Sequence, residues 1–232
     1  MKVDPIVTIR VVTVFLSKAP SGVARVPSLQ FPCINLFTQC TQPFEDEEKQ
    51  LLCLKSLKII LFETDKSISI PFIHSLAPRV VELLVHSSDM LAVSPASVIS
   101  QKRFDILMQG LDMMQLLLEK TDSKMDILSL YIPILVSFLV EESDLLRSRS
   151  LRSSLHQQVL SRLLVIAPQF KQAFRLLMEQ YPSLKKKLEH AIRSQHQNSQ
   201  SKTTASSITS SSNAFPAAVP TIQLKTDFSN FK

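Results

Sequence analysis

Apolar residues recur at three- and four-residue steps along most of this chain. Leu51, Leu54, Leu57 and Leu61 make one stripe. Ile73, Leu76, Val80, Leu83 and Leu84 make a second, and Phe104, Leu107, Met108, Leu111, Met114 and Leu118 a third. This spacing puts each set on one face of an α-helix. The punctuation agrees. Asp4-Pro5 suits an N-cap followed by proline at the first helical position. The run from Ile6 to Leu16 is β-branched, which leaves a strand as the alternative there. Ser28 is placed to cap a helix ending near Gln42, where Pro43 stops it. Glu45 to Glu48 supply an acidic first turn for the Leu51 helix, favourable at the positive end of its dipole. Further helices are expected from Pro71, over 101–120, over 125–140 with Pro133 inside, over 151–166, over 169–180, and from Pro182 to about Ser194. Residues 18–27, 65–70, 86–100 and 141–150 read as connections.

Composition narrows the chemistry. Among 232 residues there are 2 glycines, too far apart for a phosphate loop, a dinucleotide fingerprint or a nucleophile elbow. Few glycines also argue against a β-sandwich with its many tight turns. Cys33, Cys40 and Cys53 have no zinc spacing and no histidine near them in sequence, so they read as buried thiols in a reducing compartment. His74, His86, His156, His190 and His196 form no nucleophile or metal grouping by spacing, and the last three sit among polar residues. We therefore expect no enzyme activity, no metal and no cofactor. The Ile6–Leu16 run contains Arg10, is too short to span a bilayer and precedes no small-residue cleavage site; a cytosolic protein is expected.

Repetition points to architecture. Ser75 to Val85 aligns with Leu130 to Val140 at an offset of 55, proline on proline (Pro78 and Pro133) and apolar on apolar. Downstream, Ser88-Asp89 falls on Ser143-Asp144. Weaker echoes are Phe31-Pro32-Cys33-Ile34 and Ala167-Pro168-Gln169-Phe170. Proline inside a helix costs about 3 kcal/mol, so its return in one slot signals a helix built to accommodate it. A proline-bearing helix, a turn with Asp and a second amphipathic helix resemble the HEAT pattern, which implies an all-α, HEAT/armadillo-like solenoid of antiparallel helix pairs. The turn Ser143-Asp144-Leu145-Leu146-Arg147 only approximates the family's Asp-x-x-Val-Arg, and the repeat is longer than usual.

The end of the chain carries a more specific likeness. The stretch from Ala167 to Arg193, a Ser/Thr-rich segment and Ile222 to Phe231 together resemble the carboxyl end of the HEAT-repeat-containing protein five family. The resemblance implies a C-terminal piece or short isoform of a much larger solenoid. It also implies a cytoplasmic scaffold at the trans-Golgi network, endosomes or clathrin-coated vesicles. The implied partners are aftiphilin, gamma-synergin and the clathrin adaptor, with any membrane association running through those partners.

Three groups of residues are candidate contact sites. Asp227-Phe228-Ser229-Asn230-Phe231 contains F-x-x-F with an acid before it, similar to peptides that dock on adaptor ear domains; folding back to cap the helices is the other reading of that tail. Ser148 and Ser150, among Arg147, Arg149 and Arg152, fit a basophilic kinase, with phosphate near a helix start; a solvated loop is the plain alternative. Lys185, Lys186 and Lys187 are either the wet face of the last helix or a contact for acidic partners or lipid headgroups. Met108, Met113 and Met114 read as core, or as a soft partner groove.

The expected organisation is a helical segment over 1–194, a disordered Ser/Thr-rich linker over 195–214 and a motif or capping tail over 215–232. The apolar first helix calls for the remainder of a larger solenoid or a dimer partner. The alternative function follows from charge. Residues 147–232 hold 13 basic and 3 acidic side chains, so a basic solenoid binding nucleic acid or nuclear cargo is the rival reading. No aromatic residue interleaves the lysines, so nucleic acid is not the expected partner.

Overall fold

The computed structural model describes residues 4–93, 98–140 and 151–204. Among them the chain is all-helical, with no strand. Helix α1 spans Pro5–Lys18, α2 Ser21–Ala24, α3 Pro27–Cys40, α4 Glu47–Glu63 and α5 Lys66–Val93. Then come α6 Gln101–Lys120, α7 Lys124–Ser137, α8 Leu151–Gln169, α9 Lys171–Gln180 and α10 Pro182–Thr204. The chain divides into two units, Met1–Gln195 and His196–Lys232. The packing below is that of the first unit.

Local chemistry sets the helix starts. The Asp4 side chain accepts from the Ile6 N–H at 2.9 Å, capping α1 ahead of Pro5. Asp46 caps α4 by accepting from the N–H groups of Glu48 and Lys49 at 3.0 and 3.2 Å. The Ser100 hydroxyl accepts from the Arg103 N–H at 3.0 Å and caps α6. Each such cap satisfies amides that the helix leaves open.

Four expectations need correction. Ser28 is not a cap: α3 starts one residue earlier, with Val26 at the cap and Pro27 at the first helical position. The 18–27 connection contains the short helix α2. Pro71 does not open a helix; α5 begins at Lys66 and carries both Pro71 and Pro78 inside it. Residues 86–93 are helical rather than loop, because the Ser87 hydroxyl bonds back to the Leu83 carbonyl at 2.6 Å and receives Arg103 Nη2 at 2.8 Å. The polar run is thus satisfied within the helix. At the far end, helix α10 extends ten residues into the segment whose composition predicts a linker.

Tertiary packing follows a simple rule. Leaving the short α2 aside, each helix from α1 to α7 contacts both the next helix and the next but one. Burial explains the self-match. In α3, α5 and α7 an internal proline sits outside the core, and the residues two before, two after and five after it are buried. These are Gln30, Ile34 and Phe37; Leu76, Val80 and Leu83; and Tyr131, Leu135 and Phe138. Pro32 therefore shares the register of Pro78 and Pro133, whereas Pro168 lies at the end of α8. Contacts link α3 to α5 and α5 to α7. Phe37 meets Phe72 edge-on, centroids 6.0 Å apart, at the α3–α5 contact. Fully burying such side chains contributes about 1.5–3 kcal/mol each.

Helix α5 is long and apolar enough, by length and composition, to cross a membrane. Its Phe72, Leu76, Val80 and Leu83 stripe is instead buried in the helical core. Gly110 of α6 explains how closely α5 and α6 meet: a Cβ there would lie 2.9 Å from Leu84 Cδ2. Between α4, α5 and α6 lies an apolar void of about 10 Å³, lined by residues such as Leu57, Leu76 and Leu117. A space of that size and lining stays dry.

Candidate functional site

The opposite side of α6 is open. A cleft of about 500 Å³ separates α6 from α8, lined by Asp112, Gln115 and Glu119 from α6 and by Gln158, Ser161, Arg162 and Val165 from α8. Lys124, at the start of α7, also lines it. On α8, residues 158, 161, 162 and 165 recur at helical spacing, so one polar face is turned to α6 while Val159, Leu160 and Leu163 are buried.

Asp112 is the centre of the site. Its Oδ2 accepts from Lys58 Nζ of α4 at 2.9 Å, and its Oδ1 accepts from Arg162 Nη2 of α8. Arg162 Nη1 also donates to Gln115 Oε1 at 2.9 Å, and its Nε is buried with no hydrogen-bond partner among the described residues. One carboxylate therefore ties α6 to helices on both sides. Burial pushes the Asp112 carboxyl up, but the hydrogen bonds from Lys58 and Arg162 outweigh it and hold the group below its ordinary value. Burial likewise disfavours the charged Arg162 guanidinium, but Asp112 and Tyr131 together outweigh it and hold the group above its ordinary value. Beneath the pair, burial pushes the Tyr131 phenol up to about 12, while its hydroxyl donates to the Leu111 carbonyl at 3.0 Å. At neutral pH the site holds a fixed ion pair over a neutral phenol.

At the rim, Lys124 Nζ donates to the carbonyls of Leu118 and Glu119, the latter at 2.9 Å, and so caps α6. The cleft is lined by side-chain amides, one hydroxyl, the Asp112–Arg162 pair, the Glu119 carboxylate, and apolar Leu118, Val165, Ile166 and Phe170. Its polar groups donate, accept and orient. No histidine lines the cleft beside Ser161. No group of three His, Cys, Asp or Glu side chains that could hold a metal occurs among the described residues.

The three cysteines are free and buried. Burial pushes all three thiols up, Cys53 well above its ordinary value, so they are not poised as thiolates. Met113 and Met114 are buried in the core and Met108 is half-buried. His156 is buried, and its Nδ1 accepts from the Val140 N–H at 3.0 Å, tying α8 to the segment after α7.

Of the sequence candidates, only the three lysines fall among the described residues. Lys185, Lys186 and Lys187 are exposed on α10, but two of the three already have partners. Lys185 Nζ lies 4.0 Å from Glu189, and Lys187 Nζ donates to the Ser137 carbonyl at 3.1 Å. Ser148 and Ser150, and Asp227, Phe228 and Phe231, lie outside the described residues. Sequence reading missed Asp112 and Arg162. The available signal was a single charge set in each of two apolar runs, Leu111 to Leu118 and Leu160 to Ile166.

No protein-family model matches the chain, and no solved structure matches it.

Proposed function

We propose that this chain is a non-catalytic scaffold, a HEAT-like α-solenoid that works through protein–protein contacts. The observation that carries this reading is the common register of Pro32, Pro78 and Pro133, with the same three flanking positions buried in three helices that contact one another in order. A repeated unit whose contacts run to its neighbours is how stacked-helix proteins extend a surface. The cleft between α6 and α8 supports the same conclusion, since its Asp112 and Arg162 side chains are engaged with each other in an ion pair that ties helices together. On the resemblance of its C-terminal sequence, the scaffold serves clathrin-adaptor-dependent sorting between the trans-Golgi network and endosomes, in the cytoplasm, with aftiphilin, gamma-synergin and the adaptor as partners. Phe228 and Phe231 are the residues proposed to meet the adaptor.

Affinity purification of the tagged full chain from cells tests the assignment. Recovery of the adaptor together with aftiphilin and gamma-synergin is expected, with less adaptor captured by the Phe228→Ala/Phe231→Ala chain. Recovery of none of the three ends the trafficking assignment while leaving the scaffold reading standing. Enzymatic turnover by the purified chain would end the scaffold reading itself.

A further inference from the structure

Helix α1 packs on α3 and α4 through Ile9, Thr13 and Leu16. Its other face is aliphatic and uncovered: Val7, Val11 and Val14 are 51%, 62% and 62% exposed. Steps of four and three residues make these valines a continuous seam, the spacing by which one helix receives another. The contacts of α1 with α4, α4 with α6 and α6 with α8 are each bridged by an ion pair, with the cation on the earlier helix in the first two and on the later helix in the third. The pairs are Lys18 with Glu63, Lys58 with Asp112, and Arg162 with Asp112. Arg10 stands exposed beside the valine seam and pairs with no carboxylate among the described residues. Asp4, the acid nearest to it in sequence, caps α1.

We infer that the outer face of α1 receives an amphipathic helix of a partner protein, one with aliphatic side chains along its seam and a carboxylate opposite Arg10. A second copy of this chain suits the face less well. Two α1 helices laid antiparallel across Val11 bring the two Arg10 side chains within one turn of each other, and a parallel pair sets them side by side; both arrangements oppose like charges. The inference needs only the packing of α1 on α4. It does not depend on the trafficking assignment or on the cleft.

The test uses the full chain and two synthetic 21-residue helical peptides with the same leucine and isoleucine seam, one flanked by glutamates and the other by lysines. Binding is read by fluorescence anisotropy. The glutamate peptide is expected to bind about tenfold or more tightly than the lysine peptide, a ratio that like-charge opposition readily supplies. Val11→Glu is expected to abolish the preference, and Arg10→Glu to reverse it. Because both positions are exposed, circular dichroism should show both variants folded, which separates loss of binding from loss of structure. Equal binding of the two peptides, binding of neither, or insensitivity to Val11→Glu overturns the inference. Sedimentation of the chain without peptide supplies the last arm: a dimer lost in Val11→Glu assigns the face to a second copy instead.

Discussion

Helix α6 meets α4 and α5 on one side and α8 on the other, and the two sides are built differently. Toward α4 and α5 the void is about 10 Å³ and apolar; toward α8 there is a cleft of about 500 Å³ with amides and charges on both walls. Asp112 bonds across both the α4 and the α8 contacts, to Lys58 and to Arg162, so the ion pairs do not account for the difference. The facing side chains do. Leu57 and Leu61 of α4 line the dry void, whereas Gln158, Ser161 and Arg162 of α8 keep groups that water must solvate. Removing that water would leave them unsatisfied, which costs more than the closed contact returns. The same carboxylate can therefore stitch a core and hold open a hydrated seam, and the neighbouring residues decide which.

The largest test of this contrast is cavity creation on each side. Leu57→Ala should lower unfolding free energy by about 2–5 kcal/mol, since the site is fully buried and closely packed. Val165→Ala, in the cleft and half-exposed, should stay within about 0.5 kcal/mol. Denaturant titration of the two variants measures both, and a similar loss for each would erase the distinction between a core side and a cleft side.

Next is the shared ion pair. Arg162 is 15% exposed and Lys58 is 46% exposed. Asp112→Ala strands the more buried guanidinium and should cost about 2–4 kcal/mol, toward the low end because the cleft admits water. Lys58→Ala removes only an exposed partner and should cost under about 1 kcal/mol. A double-mutant cycle between Asp112 and Arg162 checks that the larger loss belongs to that pair. Overpacking offers a third comparison: Gly110→Leu forces a side chain into Leu84 at the α5–α6 contact and should destabilise by about 1–3 kcal/mol.

Much of the fold was readable before the structure, and the reasons are local. Asp4-Pro5, Asp46 with its acidic neighbours, Ser100 before Gln101, and Pro182 mark helix starts through capping and proline chemistry, which sequence displays directly. Helix α5 was misread at both ends because tertiary satisfaction overrode local signals. Pro71 lies within it, and the polar run from His86 to Asp89 stays helical with Ser87 held by Leu83 and Arg103. The cleft was not legible. A lone Asp112 or Arg162 in an apolar run gains meaning only when the helix it faces is known. The register of Pro32 was visible only as an echo, because its flanking Gln30 breaks the apolar pattern that Leu76 and Tyr131 keep.

The smallest expected effect is on pH. Burial pushes the His156 imidazole below its ordinary value of 6.5, and the Lys187 ammonium adds to the shift. The folded chain therefore favours the neutral ring, which accepts from Val140, and the unfolded chain binds more protons. Stability from this group is complete above 6.5 and declines as pH falls through 6.5 toward the folded value. A melting temperature a few degrees lower at pH 5.5 than at pH 7.5 is expected. His156→Asn, whose side-chain oxygen can still accept from Val140, should flatten that decline. An equal decline in the variant would assign the pH effect to other groups.

Native-state hydrogen exchange on the full chain, resolved by segment, tests the contrast across α6 most directly. The amides of α4, α5 and α6 should exchange only through global unfolding, while those of α8 exchange sooner, through opening at the hydrated seam. Protection of α8 equal to that of α4 would mean that the cleft is no weaker than the core, and the account of two differently built sides would fall.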